Sequence, residues 1–374
     1  MNVYEELGLK RVINASGKMT ALGASVIDAG VADYMVRASM DYVNIEALME
    51  KAGEVISKYT GAQDACVTAG AAAGIAIAVA ACIAKDDIDA IERLPVSKGL
   101  RNEIIIQKGH SIDFGAPVVQ MIRLGGGVPV EVGHTNKADP LHIERAVNEK
   151  TAALIYVKSH HTVQKGMVSV ERMVNIAKKY DLPLIVDAAA EGDLKKYLAA
   201  GADLVIYSGG KAIEGPTSGF IAGRRDLIGY CRLQYRGIGR AMKVGKENIA
   251  GLLKAVELYG SRDNREEALR QKEEMEWLKV EVDKIDGLEA EVVQDEAGRE
   301  IYRVHIRVDS GFLGVDAKHI IDELERGDPA VYTRNHYANV GIIGIDPRPL
   351  KEGEERVILN RLRSIVEDIK RGNT

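Results

Sequence analysis

Between residues 64 and 230, short β-branched apolar runs alternate with longer helical patterns, and that alternation restricts the chain to one class of fold. The runs are Asp64–Thr68 (DACVT), Glu103–Gln107 (EIIIQ), Val128–Val132, Ala152–Val157, Leu184–Val186, Leu204–Tyr207 and Gly219–Ala222. Helical patterns fall between them at 71–84, 115–124, 140–148 and 169–180. Strands that are apolar at successive positions are buried on both faces. Separated by helices, they make a mostly parallel sheet covered on both sides, an α/β fold. In such sheets ligands bind outside the carboxyl ends of the strands, so chemistry belongs to the residues just after each run.

The flanking regions differ in character. Residues 1–50 read as an N-terminal arm, 51–245 as the large domain, and 246–284 as a charged connecting helix with a solvated face. Residues 285–374 read as a small α+β domain, with strands in EAEVVQ, IYRVHIRV and AVYTRNH and helices at 316–326 and 353–370. With 50 Lys+Arg against 55 Asp+Glu, the chain has no global attraction for nucleic acid or anionic membrane. Cys66, Cys82 and Cys231 make neither a disulfide framework nor a metal-ligand spacing and read as buried, reduced thiols. Acids precede any apolar run at the N-terminus, unlike a secretory leader, and Ala71–Ala84 is too short to span a bilayer. The expectation is a cytoplasmic protein with a small-molecule ligand and no nucleic-acid or membrane partner.

Two strand ends carry the strongest chemical signal. Leu184–Val186 runs into Asp187, and 24 positions later (211 − 187) the run DLVIYS leads through Gly209-Gly210 into Lys211. A carboxylate and a lysine so placed suit pyridoxal 5'-phosphate (PLP). Asp187 would keep the pyridine nitrogen protonated, and Lys211 would form the Schiff base and, once released, move protons. Ala189 lets the ring lie close to the strand, and the paired glycines permit close backbone approach. The segment around Gly70 and Ala71 opens a helix whose free N–H groups and dipole make a phosphate seat, with the Ser208 hydroxyl as a further donor.

His110, after the Glu103–Gln107 run, is placed to cover the exposed face of the ring. One of His160 and His161, in KSHHT, is placed to reach the cofactor's phenolic oxygen or the substrate. Adjacent histidines on an extended segment point opposite ways, so no metal is expected there. Arg232, Arg236, Arg240, Lys243 and Lys246 fall near one face if their segment is helical, where they would bind an anionic substrate, or cofactor phosphate across a subunit interface. Arg334 would clamp a substrate carboxylate. Each of these residues also has a plain structural reading: a strand-end Asp as a cap, a Gly-Gly-Lys as a surface loop, a Gly/Ala-rich helix start as tight packing, a basic stretch as a solvated face.

The segments RVINASGKMTALGAS, VDAAAEGDL, YSGGKAIEGPTSGFIAGRRDLI and GRAMKVGKENIAGL together resemble the selenocysteine-synthase-related branch of fold-type I, aspartate-aminotransferase-like PLP enzymes, over nearly the whole chain. The resemblance implies Lys211 as Schiff-base lysine, Asp187 as nitrogen partner, the loop at Gly70 as phosphate site and His110 as stacking residue. Within the branch the chain looks like the D-glucosaminate-6-phosphate ammonia-lyases. Their activity implies loss of water and ammonia from a phosphorylated 2-amino-3-hydroxy sugar acid, giving a 2-keto-3-deoxy acid phosphate. It further implies a homodimer or higher homo-oligomer. The expected catalytic set is Lys211, Asp187, His110 and His161, with Arg334, Arg240, Lys243 and His160 on the substrate. Rival readings keep PLP but change the reaction to a cystathionine-type lyase, an aldolase or selenium transfer to seryl-tRNA. The last is disfavoured because the chain lacks room for the extra N-terminal tRNA region of the selenium transferases and lacks a basic excess. A non-catalytic PLP-binding protein is disfavoured by the intact Asp187 and Lys211.

Overall fold

The computed structural model describes residues 2–295 and 298–372. It divides into a larger unit, Ile27–Ser261, and a smaller one made of Met1–Val26 with Arg262–Thr374. The strands in chain order are β1 (Val12–Ala15), β2 (Asp64–Thr68), β3 (Glu103–Gln107), β4 (Val128–Val132), β5 (Thr151–Val157) and β6 (Leu184–Asp187). They continue with β7 (Leu204–Ser208), β8 (Gly219–Gly223), β9 (Leu288–Gln294), β10 (Tyr302–Val308), β11 (Ala330–Thr333) and β12 (Ile342–Ile345).

Among the described residues, the larger unit holds one seven-stranded sheet in the order β2-β8-β7-β6-β5-β3-β4. Only β8 opposes its neighbours, pairing antiparallel with β2 and with β7. The other pairings are parallel, so the remaining strands all end at one carboxyl edge. β3 shows why its sequence is apolar without interruption. Ile104, Ile105 and Ile106 are each 0% exposed, with Ile105 packed in the core of one face and its two neighbours in the core of the other. Burying each such side chain contributes about 1.5–3 kcal/mol.

The helix Ala71–Ala84 is buried from Gly74 to Ala84 and has no polar face because it lies between the sheet and further helices. Its small residues allow that depth: a Cβ on Gly74 would come 2.8 Å from Ile206 Cγ2 of β7. Cys66, Cys82 and Cys231 are buried free thiols. Burial pushes Cys66 and Cys82 up to about 12, and Cys231 well above the usual thiol range.

The smaller unit pairs β1 with β11 in parallel and joins β9, β10 and β12 in an antiparallel sheet. Helices Asn264–Val282, Ala317–Arg326 and Glu354–Lys370 share its core. Two of its strands escaped the sequence reading. β1 was expected as part of an arm, but its partner lies at the far end of the chain and leaves no local signal. β12 is only four residues long and interrupted by Gly344. The connecting segment is two helices, Lys246–Ser261 in the larger unit and Asn264–Val282 in the smaller. Residues 27–50 also belong to the larger unit and not to an arm.

The smaller unit is pinned by a buried ion network. Arg303, 4% exposed, donates to Asp346 Oδ2 at 2.7 Å and to Asp295 Oδ1 at 2.7 Å. Arg348 adds bonds of 2.9 and 2.7 Å to Asp346. Burial alone would raise the Asp346 carboxyl, but Arg348 and Arg303 overcome it and hold the group well below the usual carboxylate range. Removing one partner of such a buried set strands the others. Asp346→Ala is therefore expected to lower stability by about 3–5 kcal/mol, read by denaturant unfolding of the smaller unit.

Candidate active site

Three side chains converge on one face of the sheet at its carboxyl edge. Ile185 of β6, Ile206 of β7 and Cys66 of β2 all pack in the core that contains helix Ala71–Ala84. Side chains alternate along a strand, so two residues on Asp187, Ser208 and Thr68 face the same way. Register aligns them further. Ser208 and Thr68 both stand opposite Gly219 of β8, and Asp187 pairs with Ile206.

Asp187 is 7% exposed, and its Oδ1 accepts the Ala189 N–H at 3.1 Å. Burial pushes its carboxyl up to about 6, against the pull of the Lys211 ammonium and the Ala189 N–H. Lys211 itself is half-buried, in the turn linking β7 to β8. The turn is closed by Gly209 N–H to Ser218 O at 2.8 Å, Gly215 N–H to Gly209 O at 2.7 Å and Glu214 N–H to Lys211 O at 3.2 Å. A Cβ on Gly209 would fall 2.2 Å from Ser218 Oγ and 3.1 Å from Ser218 O, so a side chain there would have to displace Ser218. Glu214, at φ +59°, takes the left-handed conformation that side chains avoid.

The helix Ala71–Ala84 begins directly above this edge. Its N-cap, Gly70, offers no side-chain cap, and the space where a Gly70 Cβ would stand is open. Residues 69–73 are half-buried. The strand below comes close: a Cβ on Gly219 would meet Gly70 C at 2.8 Å and Ala71 N at 3.0 Å. An uncapped helix start whose N–H groups open into half-exposed space can hold an anion. Thr68 Oγ1 donates to Gly70 O at 2.9 Å and fixes the turn.

His110 lies at the same edge, in the turn Lys108–His110 after β3, and is 1% exposed. Its Nδ1 accepts the Val157 N–H at 3.3 Å, and its ring meets Tyr156 edge-on with centroids 4.6 Å apart. Burial, reinforced by Lys158, lowers it to about 4, so the imidazole is neutral at physiological pH. Tyr156 was not singled out in the sequence because it sits inside an apolar run and reads as core.

His160 and His161 do not point apart as an extended segment would have them. They occupy a turn after β5, with ring centroids 3.9 Å apart and planes tilted by 40°. The turn is knotted by its own polar groups: Thr162 Oγ1 donates to Ser159 O at 2.7 Å, and Gln164 Nε2 donates to Ser159 O at 2.8 Å. Among the described residues no group of three or more His, Cys, Asp or Glu gathers as a metal site.

The basic stretch from Arg232 to Lys246 is not one helical face. Helix Arg225–Leu233 gives way to short 3-10 turns at Gln234–Arg236 and Ile238–Met242 before helix Lys246–Ser261 starts. The break falls at Gly237, where a Cβ would meet Ile91 O at 2.4 Å. Arg232 is taken up by Asp64, with bonds of 2.8 and 2.7 Å, and by Ala65 O at 2.8 Å. Lys246 Nζ caps a preceding helix at Ala38 O and Ser39 O, at 2.5 and 2.8 Å. Arg240 and Lys243 are exposed. Arg334 belongs to the smaller unit, where its backbone pairs with Gly344 at 2.8 and 2.9 Å. Burial lowers its guanidinium, and neighbouring Arg303 lowers it further.

A family model described as SelA, L-seryl-tRNA selenium transferase, matches residues 12–315. The D-glucosaminate-6-phosphate ammonia lyase of Salmonella typhimurium is 49% identical over 366 residues, covering 98% of each chain. A 5'-C-glycyluridine monooxygenase-decarboxylase of Streptomyces sp is 45% identical, covering 98% of this chain and 92% of its own. A solved structure of D-glucosaminate-6-phosphate ammonia-lyase superposes with a TM-score of 0.92 at 48% identity, covering 99% of both chains. Aspartate aminotransferase from Thermus thermophilus, at 16% identity and a TM-score of 0.54 over 97% of this chain and 93% of its own, shares the fold.

The selenium-transferase family and the aminotransferase-like fold depend on PLP. The residues present fit that group: an uncapped helix start for a phosphate, a buried carboxylate for a ring nitrogen, and a half-buried lysine in reach of that carboxylate's field. The buried carboxylate also has a stability consequence. Its folded-state pKa lies above the unfolded value of about 3.9, so ionisation opposes folding. The penalty is absent below pH 4 and complete above the folded value of about 6. Asp187→Asn is thus expected to make the cofactor-free protein more stable than wild type at pH 8, by up to roughly 3 kcal/mol. The gap should close on acidification to pH 4, as read by thermal unfolding.

Proposed function

The chain belongs to the SelA family, described as L-seryl-tRNA selenium transferase, and from that premise we propose that it is a PLP-dependent ammonia-lyase acting on D-glucosaminate 6-phosphate. The observation that carries this reading is the match to the Salmonella ammonia lyase, 49% identical across 98% of both chains. When bound, PLP supplies the electron sink for charge developing at the substrate's C2.

The chain's own residues do the rest. The Asp187 carboxylate holds a proton on the pyridine nitrogen. The N–H groups at Gly70 and Ala71, with the Ser208 hydroxyl, bind the cofactor phosphate, and Ala189 leaves room for the ring beside β6. His110, neutral, walls the ring. Lys211 Nζ holds the cofactor at rest and takes the C2 proton during turnover. His161 gives a proton to the departing C3 hydroxyl, and His160 contacts the substrate. Arg240 and Lys243 take its phosphate and carboxylate. The water lost from C2–C3 returns when the nitrogen is hydrolysed off, so the net products are ammonia and a 2-keto-3-deoxy acid phosphate.

We also read the chain as a cytoplasmic homo-oligomer. No helix among the described residues is long and apolar enough to cross a membrane. The segment from Tyr34 to Ile45 leaves Val36, Met40 and Tyr42 at 58%, 80% and 104% exposure, an apolar surface suited to a second copy. Light scattering should give a mass of at least two chains.

The decisive experiment couples borohydride reduction to peptide mass spectrometry. The cofactor should be found on the peptide containing Lys211, and Lys211→Ala should lose it along with ammonia release, at least about 10²-fold. A second reading, oxygen-dependent decarboxylation, is favoured by the 45% identity to the Streptomyces enzyme. Ammonia release that proceeds without oxygen and without carbon dioxide excludes it; oxygen uptake with carbon dioxide release would replace the lyase reading.

A further inference from the structure

The turn bearing the two histidines is anchored from outside itself, at one end by a side chain that the proposed chemistry does not use. Gln107, the last residue of β3, is 0% exposed. Its amide acts as a missing rung of backbone: Nε2 donates to Val168 O at 3.0 Å, and Oε1 accepts the Val168 N–H at 2.7 Å. The segment 158–168 is therefore tied at both ends. At its start the Lys158 N–H donates to Asp187 O at 2.8 Å, and at its finish Val168 is held by Gln107.

Two further ties lie between these ends. The Val163 N–H donates to Gly109 O at 3.1 Å, and the Ala138 N–H donates to Gly166 O at 2.9 Å. The contacts leave little slack. A Cβ on Gly109 would strike Met167 Sδ at 2.7 Å, and one on Gly166, at φ +82°, would strike Asn136 O at 2.6 Å. A buried glutamine that spends both ends of its amide on one residue of another segment fixes that segment's register. Apolar packing of the same volume would leave the register free to slide.

We infer that Gln107 is a positioning residue for departure of the C3 hydroxyl, because it fixes the histidine turn in register with the strand end that carries Asp187. This rests on the lyase reading above. In that step Lys211 Nζ takes the C2 proton, the electrons of the C2–H bond form the C2–C3 double bond, and the C3–O bond breaks. Its electron pair leaves with the oxygen, which accepts a proton from the His161 imidazolium and departs as water. Loosening the turn slows the second proton transfer and leaves the first intact.

The test uses cofactor-loaded enzyme with D-glucosaminate 6-phosphate in D2O. Exchange of the C2 proton into recovered substrate, followed by NMR, is compared with ammonia release. For Gln107→Met the ratio of exchange to ammonia release should rise about tenfold or more, with KM little changed. Gly166→Ala, which disturbs a different tie of the same segment, should move the ratio in the same direction. Because both rates come from the same active molecules, the ratio does not respond to partial unfolding. An unchanged ratio in both variants, whether the rates hold or fall together, overturns the role of Gln107 and leaves the lyase reading standing. Wild-type enzyme that releases no ammonia overturns both.

Discussion

The approach of β8 to the first turn of helix Ala71–Ala84 is the constraint on which the larger unit is arranged. Side chains at Gly219, Gly74 or Gly209 would each collide with a neighbour, at 2.8 Å, 2.8 Å and 2.2 Å respectively. Because Gly219 and Gly74 are glycine, the helix can begin over the strand ends instead of beside them, while Gly209 keeps the β7–β8 turn closed. Its uncapped N–H groups then share a face with Thr68, Ser208 and Asp187. The single antiparallel strand matters here too. It lets β7 turn straight back through the Lys211 loop, so the lysine is presented by a short closed turn and not by a long crossover.

The electrostatics follow from that placement. Asp187 is ionisable at a depth that resists ionisation, and the charge it prefers to meet is a cation at the edge of the sheet. His110 is driven the opposite way by the same burial, which leaves it neutral. The smaller unit handles buried charge differently. Asp346 and Asp295 are each matched by guanidiniums within hydrogen-bond reach, so their charges are settled by the fold itself.

Much of the larger unit was legible because its strands are buried on both faces and so carry unbroken apolar runs. The strand ends then locate Asp187 and Lys211 with no knowledge of the pairing. What stayed hidden depends on distant partners. β1 pairs with β11 across most of the chain, and nothing in VINA announces it. Arg232 looks like a free cation until Asp64 is seen beside it. The histidine pair needed the knot made by Ser159, Thr162 and Gln164 to become a turn. Gln107 reads as the end of a strand, and only Val168 shows what its amide holds.

The three buried thiols carry a different consequence. With pKa values raised this far, Cys66, Cys82 and Cys231 hold almost no thiolate in the native state. They are therefore shielded from alkylation and oxidation for as long as the sheet and its helices stay closed. All three sit in the core on one face of the sheet. Each becomes reactive only when that face parts, so the rate of thiol labelling is a built-in clock for the breathing of the larger unit.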